Sequence, residues 1–141
     1  MNNNYLGNLG YYPFERRNPK TKTKQWYAAL KNYSTINRNQ VIDYAVTNSN
    51  IERSVLETAM TGLCQLIKQF LLNGHNISID NFGCFYLSNT SRGELTADEV
   101  TSDDVKKAYV RFRPCKALRQ DLQQVPLFDV TKKAWAEKLD E

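Results

Sequence analysis

The sequence has few of the residues from which metal centres and catalytic sites are usually built. It contains one histidine, His75, and three cysteines, Cys64, Cys84 and Cys115, with no Cys-x-x-Cys pair. This set is too small and dispersed for a metal cluster or a nucleophilic pair, and an odd cysteine number argues against a disulfide framework. The sequence also lacks a glycine-rich phosphate loop and a Ser/His/Asp set. We therefore expect no enzymatic activity, no metal and no cofactor, and we place Cys64 in the core.

Long apolar runs and targeting signals are also missing. No apolar run approaches the roughly 18 residues needed to span a bilayer. The first four residues, Met-Asn-Asn-Asn, have neither a basic start nor an apolar h-region. The 141 residues are 41% hydrophobic, which is enough for one domain with extensions. We expect a cytosolic protein with no membrane partner and no small-molecule substrate.

Acidic residues are scarce in two parts of the chain, so the net charge of +4 understates its asymmetry. Residues 1–40 hold seven Lys/Arg and one Glu, and residues 105–121 hold six Lys/Arg and one Asp. Between these blocks, residues 93–104 hold five acidic residues and no basic one. A basic block alone is more often a solvated face than a binding surface. The alternation nevertheless indicates a patterned surface.

The stretch from Gly74 to Phe85 predicts two strands joined by a turn. Ile77 and Ile79 alternate with polar residues, which is the period of a half-buried strand. Asn81-Phe82-Gly83 turns the chain, and Gly83 is the residue best able to adopt a positive φ there. A second strand follows, with Phe85 and Leu87 on its inward face. Much later, Pro114 suits the first turn of a helix, where a missing N–H costs nothing.

Two helices are predicted before these strands. Asn37 and Gln40 have the spacing of a capping box at the start of the first helix, and Asn50 is placed to cap the second. The second helix is about 23 residues long with a wide apolar face. That face includes Val55, Leu56, Ala59, Met60, Leu63, Ile67, Phe70 and Leu71. One short neighbouring helix cannot cover so wide a face, so a symmetric partner chain is the simplest second layer.

These motifs together carry a family resemblance. Gly-x-x-Ile-x-Ile-x-x-Phe-Gly-x-Phe after a helix pair, followed by Phe-x-Pro-x-Lys-x-Leu before a last helix, resembles the HU/IHF family of bacterial histone-like DNA-binding proteins. The resemblance covers residues 35–124. It implies an α+β fold in which two N-terminal helices pack on a three-stranded antiparallel sheet with a β-arm and a short C-terminal helix. It also implies an intertwined homodimer, or a heterodimer with a paralogue.

The arm departs from the family pattern. In the family, residues 86–111 would form a long arm that wraps the minor groove, and an Arg-Asn-Pro tip would wedge between base pairs. Here the centre of that interval is acidic, and no proline occurs between Pro19 and Pro114. The arm is therefore expected to be folded back or shortened. Arg17-Asn18-Pro19 is either a relocated wedge or, as we favour, an ordinary turn.

The ends of the chain lie outside the resemblance. Alternation over residues 11–30 predicts a hairpin with a basic loop, after a frayed terminus over residues 1–10. Its aromatic residues, Tyr11, Tyr12, Phe14, Trp26 and Tyr27, could stack on bases, although packing is the more common role. We divide the chain into an N-terminal extension with a basic hairpin (1–34), an HU/IHF-like domain (35–124) and a C-terminal tail (125–141). A short helix containing Trp135 and Leu139 is expected in the tail.

Three functions follow from this pattern. The favoured one is architectural: a nucleoid-associated, histone-like protein that binds and condenses duplex DNA with low sequence specificity. The predicted DNA-binding residues are Lys106, Lys107, Arg111, Arg113, Lys116, Arg119, Arg16, Arg17, Lys20, Lys22 and Lys24. The alternative is a protein-interaction or scaffold module on the same fold that has lost DNA binding. Magnesium-dependent catalysis by the carboxylates at 98–99 and 103–104 is a third, less favoured interpretation, because a solvated loop explains them.

Overall fold

A computed structural model describes residues 7–132, which fall into two compact units. Among the described residues, one unit is formed by 7–35 together with 120–132, and the other by Ile36–Arg119. Within residues 7–132 the mixed α+β composition is confirmed, and no helix there is long and apolar enough to cross a membrane. The elements are β1 (Leu9–Arg17), β2 (Lys24–Leu30), α1 (Arg38–Asn48), α2 (Arg53–Leu72), β3 (Ile77–Ile79), β4 (Gly83–Ser91), β5 (Val105–Pro114), α3 (Lys116–Gln124) and β6 (Leu127–Asp129).

Helix α1 begins with the capping box that the sequence predicts. The Asn37 Oδ1 atom accepts a hydrogen bond from the Gln40 backbone N–H at 2.9 Å, and the Gln40 side chain accepts from the Asn37 N–H at 2.9 Å. Two donors that the first helical turn leaves unpaired are thereby satisfied.

The predicted cap of α2 is wrong. The residue that precedes this helix is Glu52, which makes no side-chain capping bond, and Asn50 lies outside the helix. The extended backbone of Glu52 (φ −62°, ψ 144°) delays the start, so α2 has 20 residues instead of about 23. Its first turn is held by Arg53, whose guanidinium pairs with Asp43 and with Glu57.

The second unit contains an antiparallel sheet in the order β3-β4-β5. Its register pairs Ile77 with Phe85 and Phe85 with Phe112, so the predicted alternation of apolar side chains is confirmed. The rings of Phe82 and Phe85 lie 5.0 Å and 4.9 Å from that of Phe112 between centroids, which places an aromatic cluster on the inner face.

The turn between β3 and β4 has the predicted position but a different geometry. The residue with a positive φ (62°) is Asn81, whereas the φ angle of Gly83 is not positive. Glycine is needed at position 83 for another reason, because a Cβ atom there would lie 2.4 Å from the Arg113 carbonyl oxygen and 2.6 Å from the Phe112 ring. The Gly83 position therefore reflects close packing of β4 on β5.

Pro114 ends strand β5 and does not lie in the first turn of α3. It remains in the strand because its backbone is paired opposite Gly83. Cys115 then separates strand from helix: its N–H donates to the Phe82 carbonyl at 2.9 Å, and its own carbonyl accepts from the Arg119 N–H at 3.1 Å. The helix consequently begins two residues after the proline.

The first unit contains the predicted hairpin, with β1 and β2 antiparallel from Tyr11–Leu30 to Arg17–Lys24. Strand β6 pairs in parallel with β1, which gives the order β2-β1-β6. The prediction of a frayed terminus is wrong for residues 9–10, because β1 already begins at Leu9. Residues 127–129 of the expected tail are a strand. The helix expected around Trp135 and Leu139 lies outside the described residues.

The described residues bury very little apolar surface. Only Ile42 and Leu71 are buried hydrophobic residues between positions 7 and 132. On α2, Leu63 is 61% exposed, and the predicted core position of Cys64 is wrong because its side chain is exposed. The apolar face of α2 therefore lacks a second layer within the second unit.

Candidate nucleic-acid interface

The outer face of β4 and β5 carries a row of cations. Lys107, Arg111 and Arg113 occupy alternate strand positions, opposite the Phe112 side of the sheet. The register also brings Tyr86 opposite Arg111 and Ser88 opposite Tyr109. Three of the predicted DNA-binding residues therefore share one face with two tyrosines.

The tyrosines hold the two arginines against the sheet. The Arg111 guanidinium lies 4.9 Å from the Tyr109 ring centroid, and its Nη2 donates to the Tyr109 hydroxyl at 3.2 Å. The Arg113 guanidinium lies 5.1 Å from the Tyr86 ring centroid. Such cation–π contacts orient a guanidinium without neutralising its charge.

The hydrogen bond between Tyr109 and Arg111 also shifts their protonation equilibria. It raises the pKa of Arg111 above its usual value. The pKa of Tyr109 is lowered, first by the bond from Arg111 and then by one with Ser88. Among the residues that the structure describes, Lys107, Arg111 and Arg113 form no ion pair with a carboxylate. Their charge is therefore available to an anionic partner.

The remaining predicted residues near this face have different positions. Lys106 is an unpaired residue at a β-bulge between the Thr90–Lys107 and Ser91–Val105 pairs, so it does not continue the regular row. Lys116 and Arg119 are exposed on α3 and lie three residues apart, which places them on neighbouring positions of one helix face.

The acidic segment closes the arm instead of extending it. Strands β4 and β5 pair only as far as Ser91–Val105, and two short 3₁₀ turns follow within residues 92–104. Asp104 is 1% exposed, and its Oδ1 accepts from the Arg92 Nε and Nη2 atoms at 3.1 and 2.9 Å. Its Oδ2 accepts from the Thr101 N–H at 2.8 Å. The acidic centre of the interval is therefore a closed loop, and whether the arm is folded back or shortened relative to the family stays a prediction.

This network corrects the solvated-loop interpretation at Asp104. The backbone bond from Thr101, followed by the Arg92 side chain, lowers the pKa of Asp104 below its usual value. The carboxylate is thus a structural acceptor that fixes the loop. Within residues 7–132 no group of three metal-ligating side chains comes together.

The basic hairpin loop belongs to the other unit and forms a tight turn. The Asn18 Oδ1 atom accepts from the Lys20 N–H at 2.9 Å, and the Asn18 N–H donates to the Thr23 carbonyl at 2.8 Å. The Arg17 Nε donates to the Lys22 carbonyl at 2.9 Å. Arg16, Lys20, Lys22 and Lys24 are exposed, and the Lys24 ammonium lies 3.4 Å from the Glu15 carboxylate. The residues Arg17-Asn18-Pro19 thus form the turn that the sequence favours.

Two residues that support the site were not among the predicted site residues. The sequence pattern could have identified one of them. Tyr86 follows Cys84 by two residues, so strand alternation alone places it on the outer face. Arg92 gave no signal, because its role depends on Asp104, which is twelve residues away in sequence.

Comparison with known proteins identifies the family. The chain matches the HU-HIG family, described as an HU domain fused to a wHTH, Ig or glycine-rich motif, over residues 8–129. The chain belongs to the HU-HIG family. This confirms the HU-like resemblance, and the matched region of this HU-HIG chain includes β1, β2 and β6 as well as the two helices and the second sheet.

Solved structures support the same fold. Six chains match, among them a proposed bacterial DNA-binding protein from Bacteroides vulgatus ATCC 8482, with a TM-score of 0.66 and 14% sequence identity. The alignment covers 88% of the HU-HIG chain and 48% of that structure, so the chain spans about half of its length. At this identity the similarity shows a shared fold alone. No curated protein matches the chain.

Proposed function

We propose that this HU-HIG chain binds duplex DNA through the outer face of β4 and β5, as an architectural protein of the nucleoid without enzymatic activity. The observation that carries the proposal is the row of Lys107, Arg111 and Arg113, whose charges are not paired with carboxylates in the described part of the chain. Alternate strand residues are roughly 6.6 Å apart, about twice the 3.4 Å axial spacing of phosphates along one DNA strand.

Contact with the sugar–phosphate backbone explains why low sequence specificity is expected. Arg111 and Arg113 lie against tyrosine rings on strand β5, and the contacts that we propose for them are with phosphates. Phosphate contacts position a protein on DNA without reading sequence. The closed, acidic loop at 92–104 also lacks the proline that would act as a wedge, so we do not assign DNA bending to it.

A second copy of the chain, or a paralogue, is the proposed partner for the apolar face of α2. That face bounds a groove of about 310 Å³ whose walls are almost wholly apolar. The groove is lined by Ile42, Ala45, Leu56, Ala59, Met60, Leu63 and Cys64. An apolar surface this wide on a small unit with two buried hydrophobic residues is typical of a subunit interface.

The test is fluorescence anisotropy with a random-sequence duplex, titrated from about 50 to 200 mM salt. Each neutralised phosphate contributes about −0.9 to the slope of log K against log salt. The Arg111→Ala/Arg113→Ala variant should reduce that slope in magnitude by up to about 2. The charge-matched control, Lys31→Gln/Lys132→Gln, removes two exposed cations outside β5 and should retain the wild-type slope. An unchanged slope in the arginine variant would remove both residues from the site.

The alternative is a scaffold module that has lost DNA binding. The ordered acidic loop favours it, because carboxylates near the arm end repel phosphates. Absence of duplex binding by the wild-type protein at about 50 mM salt would support this alternative and reject DNA binding.

A further inference from the structure

The hairpin of β1 and β2 exposes a tryptophan that packing does not explain. The register pairs Glu15 with Trp26 and Arg17 with Lys24, so these four side chains share one face of the hairpin. Trp26 is 69% exposed and makes no ring contact within the described residues. On the opposite face Phe14 and Tyr27 contact each other with their ring centroids 5.9 Å apart. Packing therefore accounts for Phe14 and Tyr27 but leaves the indole without a role.

Two cations, Arg17 and Lys24, share the hairpin face of this indole. Residues 15–24 contain five cations and one carboxylate, Glu15. That carboxylate pairs with Lys24 at 3.4 Å, and both side chains are exposed, at 40% and 75%. An exposed pair of this kind contributes little stability, so a phosphate can replace the carboxylate as the partner of Lys24. Lys20 and Lys22 lie in the turn between β1 and β2, whereas Arg16 pairs with Gln25 on the opposite face of the hairpin.

The turn that carries these cations is already ordered. Asn18 closes it with bonds to the Lys20 and Thr23 backbones, and its side-chain Nδ2 donates to Gln25 at 2.8 Å. Lys22 adopts a positive φ of 62°, and its carbonyl is held by the Arg17 guanidinium. A preorganised turn loses less conformational entropy when it binds a ligand.

We propose that this hairpin face binds unpaired nucleotides, with Trp26 stacked on a base and Lys20 and Lys24 contacting the adjacent phosphates. An exposed aromatic ring beside cations is the arrangement that binds single strands, because every base offers a π-face once it is free. A duplex keeps its bases stacked inside and would offer the indole only the backbone or a groove. The site lies in a different unit from Arg111 and Arg113 and does not depend on the function proposed for them.

The first experiment uses the intrinsic fluorescence of Trp26. The full chain has two tryptophans, so Trp135→Phe leaves Trp26 as the only indole. Oligo(dT) of about 16 nucleotides should quench its emission saturably, whereas a random duplex of equal length should leave it nearly unchanged. Unchanged emission with oligo(dT), or equal quenching by the duplex, would overturn the proposal.

Variants then test the two parts of the site by anisotropy with labelled oligo(dT). Trp26→Ala should weaken binding about fivefold or more, and Trp26→Phe, which keeps a ring, should lie between it and wild type. Lys20→Gln/Lys24→Gln should reduce the salt dependence, whereas Lys31→Gln/Lys132→Gln, with the same net charge, should not. Wild-type affinity in Trp26→Ala would reject the stacking role.

A last variant separates this proposal from duplex binding. Arg111→Ala/Arg113→Ala should retain quenching of Trp26 by oligo(dT) even where its duplex binding is weakened. Loss of that quenching would mean that the hairpin holds no site of its own, and would overturn the inference.

Discussion

At the scale of single residues, Gly83 shows how closely β4 approaches β5. A Cβ atom at this position would meet the Arg113 carbonyl and the Phe112 ring. We expect Gly83→Ala to lower the free energy of unfolding by about 1–3 kcal/mol, measured by denaturant titration, because backbone and rings would have to move apart. Gly93→Ala is the matched control, since nothing lies within 4 Å of a Cβ there. Equal stability of the two variants would contradict the close approach.

Asp104 should make the stability of the protein depend on pH. Its pKa is lowered in the folded state, so its contribution is complete above the usual aspartate pKa of about 3.9 and is lost as pH falls through the lower folded value. We expect Asp104→Asn to be less stable than wild type at pH 7, and the difference to shrink below about pH 4. Denaturant titrations at pH 7, 4 and 3 measure this.

The adjacent Asp103 provides the control for that series. Its side chain is exposed, so Asp103→Asn should unfold close to wild type at each pH. A constant difference between Asp104→Asn and wild type across the pH range would show that the charge of Asp104 does not contribute.

Individual residues also mark a limit of sequence reasoning. The sequence singled out Gly83 but assigned it the positive φ that Asn81 adopts, because local pattern does not reveal what lies across the sheet. Cys64 follows an apolar helical spacing and was placed in the core, although no layer among residues 7–132 covers it. Both errors concern long-range neighbours, which a local period does not encode.

At the scale of elements, the helix starts give a direct test of capping. Asn37→Ala removes the side-chain oxygen that accepts from the Gln40 N–H at the start of α1, so we expect a loss of about 1 kcal/mol in unfolding free energy. Asn50→Ala should change stability by less than about 0.5 kcal/mol, because α2 begins after Glu52. Thermal unfolding of the two variants compares the same substitution at Asn37, which caps α1, and at Asn50, which does not cap α2. A larger loss for Asn50→Ala would contradict the observed start of α2.

The outward and inward faces of a strand were predictable where polar and apolar residues alternate along the sequence. The alternation of Lys107, Arg111 and Arg113 with apolar residues fixed the outer face of β5 before its partner was known. The bulge at Lys106 was not predictable, because a bulge is a property of the register between two strands. The parallel pairing of β6 with β1 likewise joins segments separated by most of the chain.

At the scale of the whole molecule, the apolar face of α2 is the feature that the described part of the chain leaves uncovered. The sequence predicted its width, and the structure shows Leu63 at 61% and Leu66 at 50% exposure. Neither identifies what covers this face, because the contacts of the described residues include no layer over it. Self-association is therefore the property to measure.

We expect Leu63→Glu to disrupt that association, measured by sedimentation equilibrium across a range of protein concentrations. Burying a leucine contributes about 1.5–3 kcal/mol, and a two-fold interface contains the residue twice. The dissociation constant of the dimer should therefore rise more than about a hundredfold. Leu95→Glu is the control, because Leu95 is 97% exposed outside the groove and should leave association unchanged. Circular dichroism separates loss of association from loss of folding. A monomeric wild type would reject a symmetric dimer through α2. Unaltered association of Leu63→Glu would reject it too, because such a dimer could not tolerate two buried carboxylates.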